Sequence, residues 1–381
     1  MLFNRFIEIV IRNFETKEEF KISSDDGLRI DFDYNEYLDQ SSTSNTGTIK
    51  IYNLSIQTFQ RIGKRFQTEV EIWCGHKNAV LNTVDRLCIG GLTSKSRERS
   101  GENYIITIDF QTAIKKMNAG EKLSISYPPK KTMIDILQDV TKQAGFYFAF
   151  EITKEDEERY GKELINRMLS INFPHGVSFM GTAKQVFDQM AEMFRLSYTI
   201  DPRETDLVVW YISEGGYEKL KIIKDSVQAG NNVKFEGRIS DTSTDALLLT
   251  QETGLIESPY IETVEIQTGY NEALDENEEL VKQKAIVPKR NKKGEIMKDK
   301  DGKVKMTKAP KGKTIARTVV NAKALINPKI KPNSWVRLRN TANQVDGLYR
   351  VRNIKYTGST HESLSFVMDM VLTLMKGEVG G

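Results

Sequence analysis

The sequence predicts a mainly β protein with an α+β insertion: two antiparallel β-barrels in one chain, separated by a duplicated strand–helix–strand domain. Three observations lead there. Short segments of alternating apolar and polar residues fill both ends of the chain. Two stripes at helical spacing occur only in the middle. The ends also match each other in collinear order, and internal repetition is the first thing to look for in a long chain. Asp33-Tyr-Asn-Glu-Tyr-Leu-Asp39 is echoed by Gly269-Tyr-Asn-Glu-Ala-Leu-Asp275, so that Tyr34, Asn35 and Glu36 recur as Tyr270, Asn271 and Glu272. Val70–Trp73 matches Val336–Arg339, and Leu87–Leu92 matches Tyr349–Ile354. Tyr104, Ile106, Ile108, Asp109 and Phe110 fall on Leu364, Phe366, Met368, Asp369 and Met370.

The first module spans 1–118. Its opening run alternates like a strand and has no small-residue cleavage site, so no signal peptide is expected. Phe20–Ser23 leads through Asp25-Asp26-Gly27 into Leu28–Tyr34, which reads as a hairpin. After a polar loop comes the strand Thr48–Tyr52. A short helix is expected from Ser55, an N-cap, to Gly63, a stop. Three further strands close a barrel, which removes exposed strand edges.

The middle domain spans 119–222. Leu123–Pro128 is echoed by Leu169–Pro174, and each leads to a helix with capping chemistry: Thr132 three before Asp135, and Thr182 three before Gln185. Ile136, Leu137 and Val140 correspond to Val186, Phe187 and Met190 on one helical face. Each helix runs into a strand, Phe146–Phe150 or Leu196–Ile200. The charged run 153–168 reads as a solvent-facing helix. The last module spans 223–381 and carries a lysine-rich insertion, 282–313, with turn chemistry at Asp301-Gly302 between Glu295–Lys298 and Lys303–Met306.

At 381 residues, with 39% hydrophobic and 28% charged residues, the chain is an ordinary globular composition of two or three domains. No run of eighteen apolar residues is present, which argues against a membrane helix. A net charge of +3 is too small for nucleic-acid binding by the whole surface. Reactive constellations are missing. His76, His175 and His361 are far apart, and there is no HExxH, GxSxG, GxGxxG or P-loop. Cys74 and Cys88 read as buried thiols, because a Cys74/His76/Cys88 metal site lacks a fourth ligand. Asp299–Gly302 lacks the donors of a calcium loop, and Glu155–Glu158 reads as a solvated helix face. No enzyme activity and no cofactor are expected. The basic residues Lys289, Arg290, Lys292, Lys293, Lys298, Lys303 and Lys305 form a candidate docking hairpin. Without interleaved aromatics, an acidic protein surface suits it better than nucleic acid.

Thr253–Ile256 with Pro259, Leu325–Pro332, Trp335–Leu338 and Gly347–Gly358 carry a resemblance to the baseplate hub proteins of contractile-tailed bacteriophages, relatives of the hub half of type VI secretion spike proteins. Where many hubs place glycine after the proline matched by Pro332, this chain has Asn333, which also tolerates a left-handed turn. The resemblance implies tube-type barrels and a homotrimer whose six barrels match the hexameric tail tube to a trimeric central spike. It implies a structural virion protein of the tail baseplate, assembled in the host cytoplasm. Its partners would be itself, spike and tube, with tape-measure and wedge proteins as further candidates. Duplication leads to the same reading, since a twice-repeated module fits a threefold object to a sixfold one. Two other readings stay open: a tail-end adaptor built on the same barrel, and a tail-associated cell-wall hydrolase.

Overall fold

Alternation along the strands makes this a sheet protein: in Ile30–Tyr37, Ile30, Phe32, Tyr34 and Glu36 are buried, and the residues between them turn outward. The computed structural model describes residues 5–38, 44–65, 67–77, 82–113, 116–117, 122–153, 176–194, 196–203, 206–212, 238–240, 247–267, 286–288, 306–308, 314–339, 341, 345–362 and 365–376. Two compact units are distinguished, one comprising Met1–Tyr260 with Val320–Gly381, the other Ile261–Val319.

The N-terminal strands are β1 (Arg5–Asn13), β2 (Glu18–Ser23), β3 (Ile30–Tyr37), β4 (Thr46–Tyr52), β5 (Thr68–His76), β6 (Asp85–Ser100) and β7 (Asn103–Gln111). Helix α1 (Ile56–Arg61) starts where Ser55 Oγ accepts the Thr58 amide at 3.0 Å, as its sequence predicts. The middle holds β8 (Leu123–Tyr127), α2 (Met133–Gln143), β9 (Tyr147–Thr153), β10 (Val177–Gly181), α3 (Ala183–Phe194), β11 (Leu196–Ile200), β12 (Leu207–Ile212) and β13 (Arg238–Ser240). The C-terminal strands are β14 (Leu247–Leu249), β15 (Tyr260–Gln267), β16 (Ile286–Pro288), β17 (Met306–Lys308), β18 (Thr314–Leu325), β19 (Trp335–Leu338), β20 (Gly347–Ser359) and β21 (Phe366–Lys376).

The protein is mainly β with few helices. One large sheet runs β15-β18-β21-β20-β3-β4-β7-β6-β5-β1-β2, with β19 also beside β20 and β14 beside β19. The order β3-β4-β7-β6-β5-β1 is repeated as β15-β18-β21-β20-β19-β14. Even the irregularities recur. Register slips at Leu92/Ser94 where β6 meets β7, and at Val351/Asn353 where β20 meets β21. With these bulges aligned, Val70 and Val336 are equivalent, since each faces the residue two before the bulge. The final pairs differ in direction: β1 is antiparallel to β5, whereas β14 is parallel to β19.

Several expectations need correction. No strand pair among the described residues closes a barrel. Phe20–Ser23 and Leu28–Tyr34 do not form a hairpin, because β2 pairs with β1, while β3 has β4 on one side and β20 on the other. The turn chemistry is spent on a 3-10 turn at Ser24–Asp26, with a capping box from Ser23 and Asp26 and Gly27 at φ 75°. The equivalence between β6 and β20 lies three residues from the one expected, and between β7 and β21 two residues, so Ile106 matches Met368 instead of Phe366. A slip of two keeps every side chain on its face, and a bulge shifts the count by one.

In the middle domain, α2 and α3 bury the expected stripes: Ile136, Leu137, Val140, Val186, Phe187 and Met190 are all fully buried. They share one core with Tyr198 and Trp210. Thr182 and Gln185 make a reciprocal cap, whereas Thr132 caps the Asp135 amide and donates its hydroxyl to the Asp135 carboxylate. The strand before α3 is Val177–Gly181, paired with β8. Leu169–Pro174 and the charged run at 154–168 lie outside the described residues.

In the second unit, β16 pairs with β17, Pro288 opposite Met306. The strands that meet among the described residues are Ile286–Pro288 and Met306–Lys308, while Glu295–Lys298 and Lys303–Lys305 of the expected strands lie outside the described residues. Lys289, Arg290, Lys292, Lys293, Lys298, Lys303 and Lys305 lie outside the described residues.

Candidate functional site

The two repeats join along a strand seam. Seven residue pairs of β3 and β20 face each other, from Asn353 opposite Tyr37 to Ser359 opposite Asp31. The seam reaches the expected signature directly, since Tyr34, Asn35 and Glu36 all lie on β3. Gly358 has no room for a side chain: a Cβ there would overlap the Phe32 ring. Next to it Tyr34 stacks between Phe110 of β7 and Tyr356 of β20, with ring centroids 5.8 and 5.9 Å away. On the opposite face Asn35 and Tyr37 line an open groove of about 450 Å³ with Glu257, Tyr260, Lys323 and Asp369.

Glu36 is the least ordinary member. Its side chain is buried under the seam, 3.8 Å from the largely buried Arg203 guanidinium. One oxygen, Oε1, has no hydrogen-bond partner, while Oε2 lies 3.0 Å from the Tyr356 hydroxyl. That hydroxyl is also 2.8 Å from the Ile330 carbonyl. Tyr356 has one proton and faces two acceptors, so both contacts are satisfied when Glu36 itself is protonated and donates. Burial pushes the Glu36 carboxyl up to about 7, against the opposing pull of Arg203 and Tyr356. Burial alone would lower the Arg203 pKa, but Glu36, Tyr356 and Asp201 outweigh it and keep the guanidinium charged.

Arg203 belongs to the β11–β12 loop of the middle domain, and that loop is pinned from several sides. Its guanidinium donates to the Pro328 carbonyl and, at 3.4 Å, to Ile330. The Ile89 amide of β6 donates to Pro202 at 2.8 Å, and Arg86 donates to the Arg203 carbonyl at 2.7 Å. Asp201 accepts from Lys331 and from the Arg203 amide, and these hold its carboxyl below the usual range although burial opposes them. Asn333 ends the Leu325–Pro332 segment at φ 73°, the left-handed turn its sequence allows. Its amide donates to Val351 at 2.9 Å, and its side-chain oxygen accepts from Arg350 at 2.7 Å. Tyr211 completes the attachment by donating to the Leu38 carbonyl at 2.8 Å. The cluster therefore ties both repeats and the middle domain together.

Arg203, Asp201 and Lys331 were not singled out in the sequence. Only the segment around Lys331 gave a signal, through the resemblance. Tyr270, Asn271 and Glu272 lie outside the described residues. Leu255 bridges Ala324 as Ile30 pairs with Ile51, so the strand equivalent to β3 begins earlier in the chain than the sequence match with Val264 and Ile266 placed it. Cys74 and Cys88 are free, buried thiols. His76 packs edge-on against Phe366 at 5.0 Å, and burial lowers its pKa to about 4. Among the described residues no group of His, Cys, Asp and Glu could hold a metal, and no helix is long and apolar enough to cross a membrane.

No family model matches the sequence, and no curated protein matches it significantly. Among solved structures, the chain is similar to the 43 kDa tail protein of prophage MuSo2 from Shewanella oneidensis, with 8% identity, a TM-score of 0.48, and coverage of 97% of this chain and 98% of that one. It is also similar to a tail protein from Neisseria meningitidis MC58, with 8% identity, a TM-score of 0.47 and 96% of each chain covered. A chain of the Francisella PdpA–VgrG complex matches at 12% identity and a TM-score of 0.48, over 98% of this chain and 53% of that one. Over nearly its full length the chain thus has a structural likeness to phage tail proteins.

Proposed function

We propose that this chain is a structural hub of a contractile tail baseplate, a homotrimer in which two barrel-type modules per chain make a pseudo-sixfold ring. The carrying observation is the repeated strand order with its two copies joined edge to edge, so one chain occupies two neighbouring positions of one ring. The sequence resemblance in Leu325–Pro332 and Gly347–Gly358 supports the same reading. One side of the ring meets a hexameric tail tube and the other a trimeric central spike; tape-measure and wedge proteins are further contacts. The middle domain, 119–222, stands outside both modules, and the basic insertion docks on an acidic tail protein. The role is permanent assembly in the virion after folding in the host cytoplasm, with no catalysis and no cofactor. Obligate interfaces of this kind bury roughly 2,000–5,000 Å².

The test is the solution mass of the purified chain, alone and with a candidate spike. Three times 43.5 kDa, and one spike trimer bound per ring, is the expected result. A chain that stays monomeric at every concentration, or clearing of peptidoglycan in a zymogram, would overturn the reading.

A further inference from the structure

We infer that Glu36 is a proton-operated clasp for residues 326–333. With its proton bound it leaves Arg203 and Tyr356 to hold the backbone carbonyls of that segment. On losing the proton it draws both donors to itself. The device lies within one folded chain and does not rest on the hub reading.

The segment depends on donors from elsewhere. It joins β18 to β19 without a helix or strand of its own. Inside it, the Ile330 amide donates to the Asn327 carbonyl and the Ser334 amide to the Lys331 carbonyl, both at 3.0 Å. Ile326 and Ile330 are fully buried and keep it seated. The Pro328 and Ile330 carbonyls are held from outside. The Arg203 guanidinium donates to both, and the Tyr356 hydroxyl lies 2.8 Å from Ile330. Both donors also face Glu36. A buried carbonyl that loses its donor is costly, so the carboxyl and the carbonyls compete for the same groups.

Three buried polar atoms of this cluster have no hydrogen-bond partner: Glu36 Oε1, Arg203 Nε and Arg203 Nη1. Oε1 and Nη1 face each other at 3.8 Å, close enough for an ion pair and too far for a hydrogen bond. The contacts to Pro328 and Ile330 come from Nη2 instead. This is the geometry of a neutral acid: Glu36 donates to Tyr356, and Tyr356 gives its own proton to Ile330. An ionised Glu36 can only accept. It then takes the Tyr356 proton, leaves the Ile330 carbonyl without that donor, and makes Oε1 the strongest acceptor beside Arg203. Nη1 closes on Oε1 and pulls the guanidinium off the two carbonyls.

Around Glu36 stand Tyr34 on β3, Tyr356 on β20, Cys88 on β6, Arg203 and Asp201 in the β11–β12 loop, and Lys331 in the segment itself. Cys74 on β5 interacts with Cys88 and Arg203. Burial makes both tyrosines and both thiols hold their protons more tightly. Burial also works against the Asp201 carboxylate, but Lys331 and Arg203 outweigh it and keep its pKa low. Burial brings the Glu36 carboxyl to about 7, which places its change of state near neutral pH.

The experiment is hydrogen–deuterium exchange of the full chain at pH 6 and pH 8, corrected for intrinsic exchange and read in peptides covering 326–334. Opening the segment returns Glu36 from about 7 to an ordinary 4.5, so linkage predicts that protection falls about tenfold between the two pH values. Local opening exposes little surface, so this exchange should not respond to denaturant below the unfolding transition. Glu36→Gln donates permanently and should keep at pH 8 the protection it has at pH 6. Tyr356→Phe retains the ring stack and lacks the shared hydroxyl, so it should lose more protection at pH 6 than at pH 8. Equal protection of the natural chain at the two pH values overturns the clasp. So does a pH step that survives in Glu36→Gln, or one that tracks denaturant as whole-chain unfolding does. An equal loss in Tyr356→Phe at both pH values overturns it as well.

Discussion

A carboxylate held away from water at the seam makes stability depend on pH, and Glu36 sets the direction. The folded state binds its proton more tightly than the unfolded chain, with a pKa of about 7 against an ordinary 4.5. Between those values the folded protein holds more proton, so stability falls as pH rises through the window and levels off above it. The groups facing Glu36 are Arg203, Asp201, Lys331, Tyr356, Tyr34 and Cys88. Glu36→Gln keeps the shape and donates permanently to Tyr356. Denaturant midpoints measured from pH 5 to 8 should decline for the natural chain relative to the variant, by on the order of 3 kcal/mol across the window. Parallel profiles would show that Glu36 is ionised throughout and that Arg203 dominates it.

Helix α2 is held by packing more than by its cap. Leu137 and its neighbours face the core shared with Phe187, Tyr198 and Trp210, a dense aromatic cluster in which Phe187 and Trp210 lie 5.4 Å apart. Leu137→Asp should cost roughly 3–5 kcal/mol, since a carboxylate there has no cationic partner. A calorimetric midpoint unchanged from that of the natural chain would show that the stripe is not core. The insertion behaves oppositely. Pro288 faces Met306 across the β16–β17 pair, so a two-residue Asn-Gly turn can replace 289–305 and join the strands directly. That variant should fold and assemble with unaltered circular dichroism. It should also lose a salt-sensitive contact with an acidic tail protein, read as binding that weakens steeply through about 0.2 M salt in the natural chain only. Infectious tails assembled by the variant would reduce the insertion to a passive extension.

At the scale of the whole molecule, one sheet replaces two separate barrels. The edge of β3 that the expected hairpin would have filled is given to β20, and the two repeats share a core in which Phe110, Tyr34 and Tyr356 are continuous. Among the described residues the sheet order runs from β15 at one end to β2 at the other. The proposed homotrimer predicts a chain that is trimeric wherever it is folded, with the stability midpoint rising with protein concentration. A concentration-independent midpoint would mean that the folded monomer is self-sufficient.

What the sequence determined by itself was local. Alternation specified the strands, Ser55, Thr132 and Thr182 specified helix starts, Asn333 specified a left-handed turn, and the two helical stripes specified the middle core. Collinear matching also placed Val70 on Val336 correctly, because short strands with one buried face tolerate little displacement. Register and closure were not local. A slip of two residues leaves the pattern of buried and exposed positions intact, so Ile106 could be matched to Phe366 or Met368 from the pattern alone. Whether β3 turns to β2 or to β20 depends on two edges separated by more than three hundred residues. The charge cluster was equally hidden, since Glu36, Arg203 and Lys331 sit far apart in the chain and each looks like a surface residue. Only the folded sheet brings them together, because burial and partner choice are properties of packed edges and cores, not of neighbouring residues.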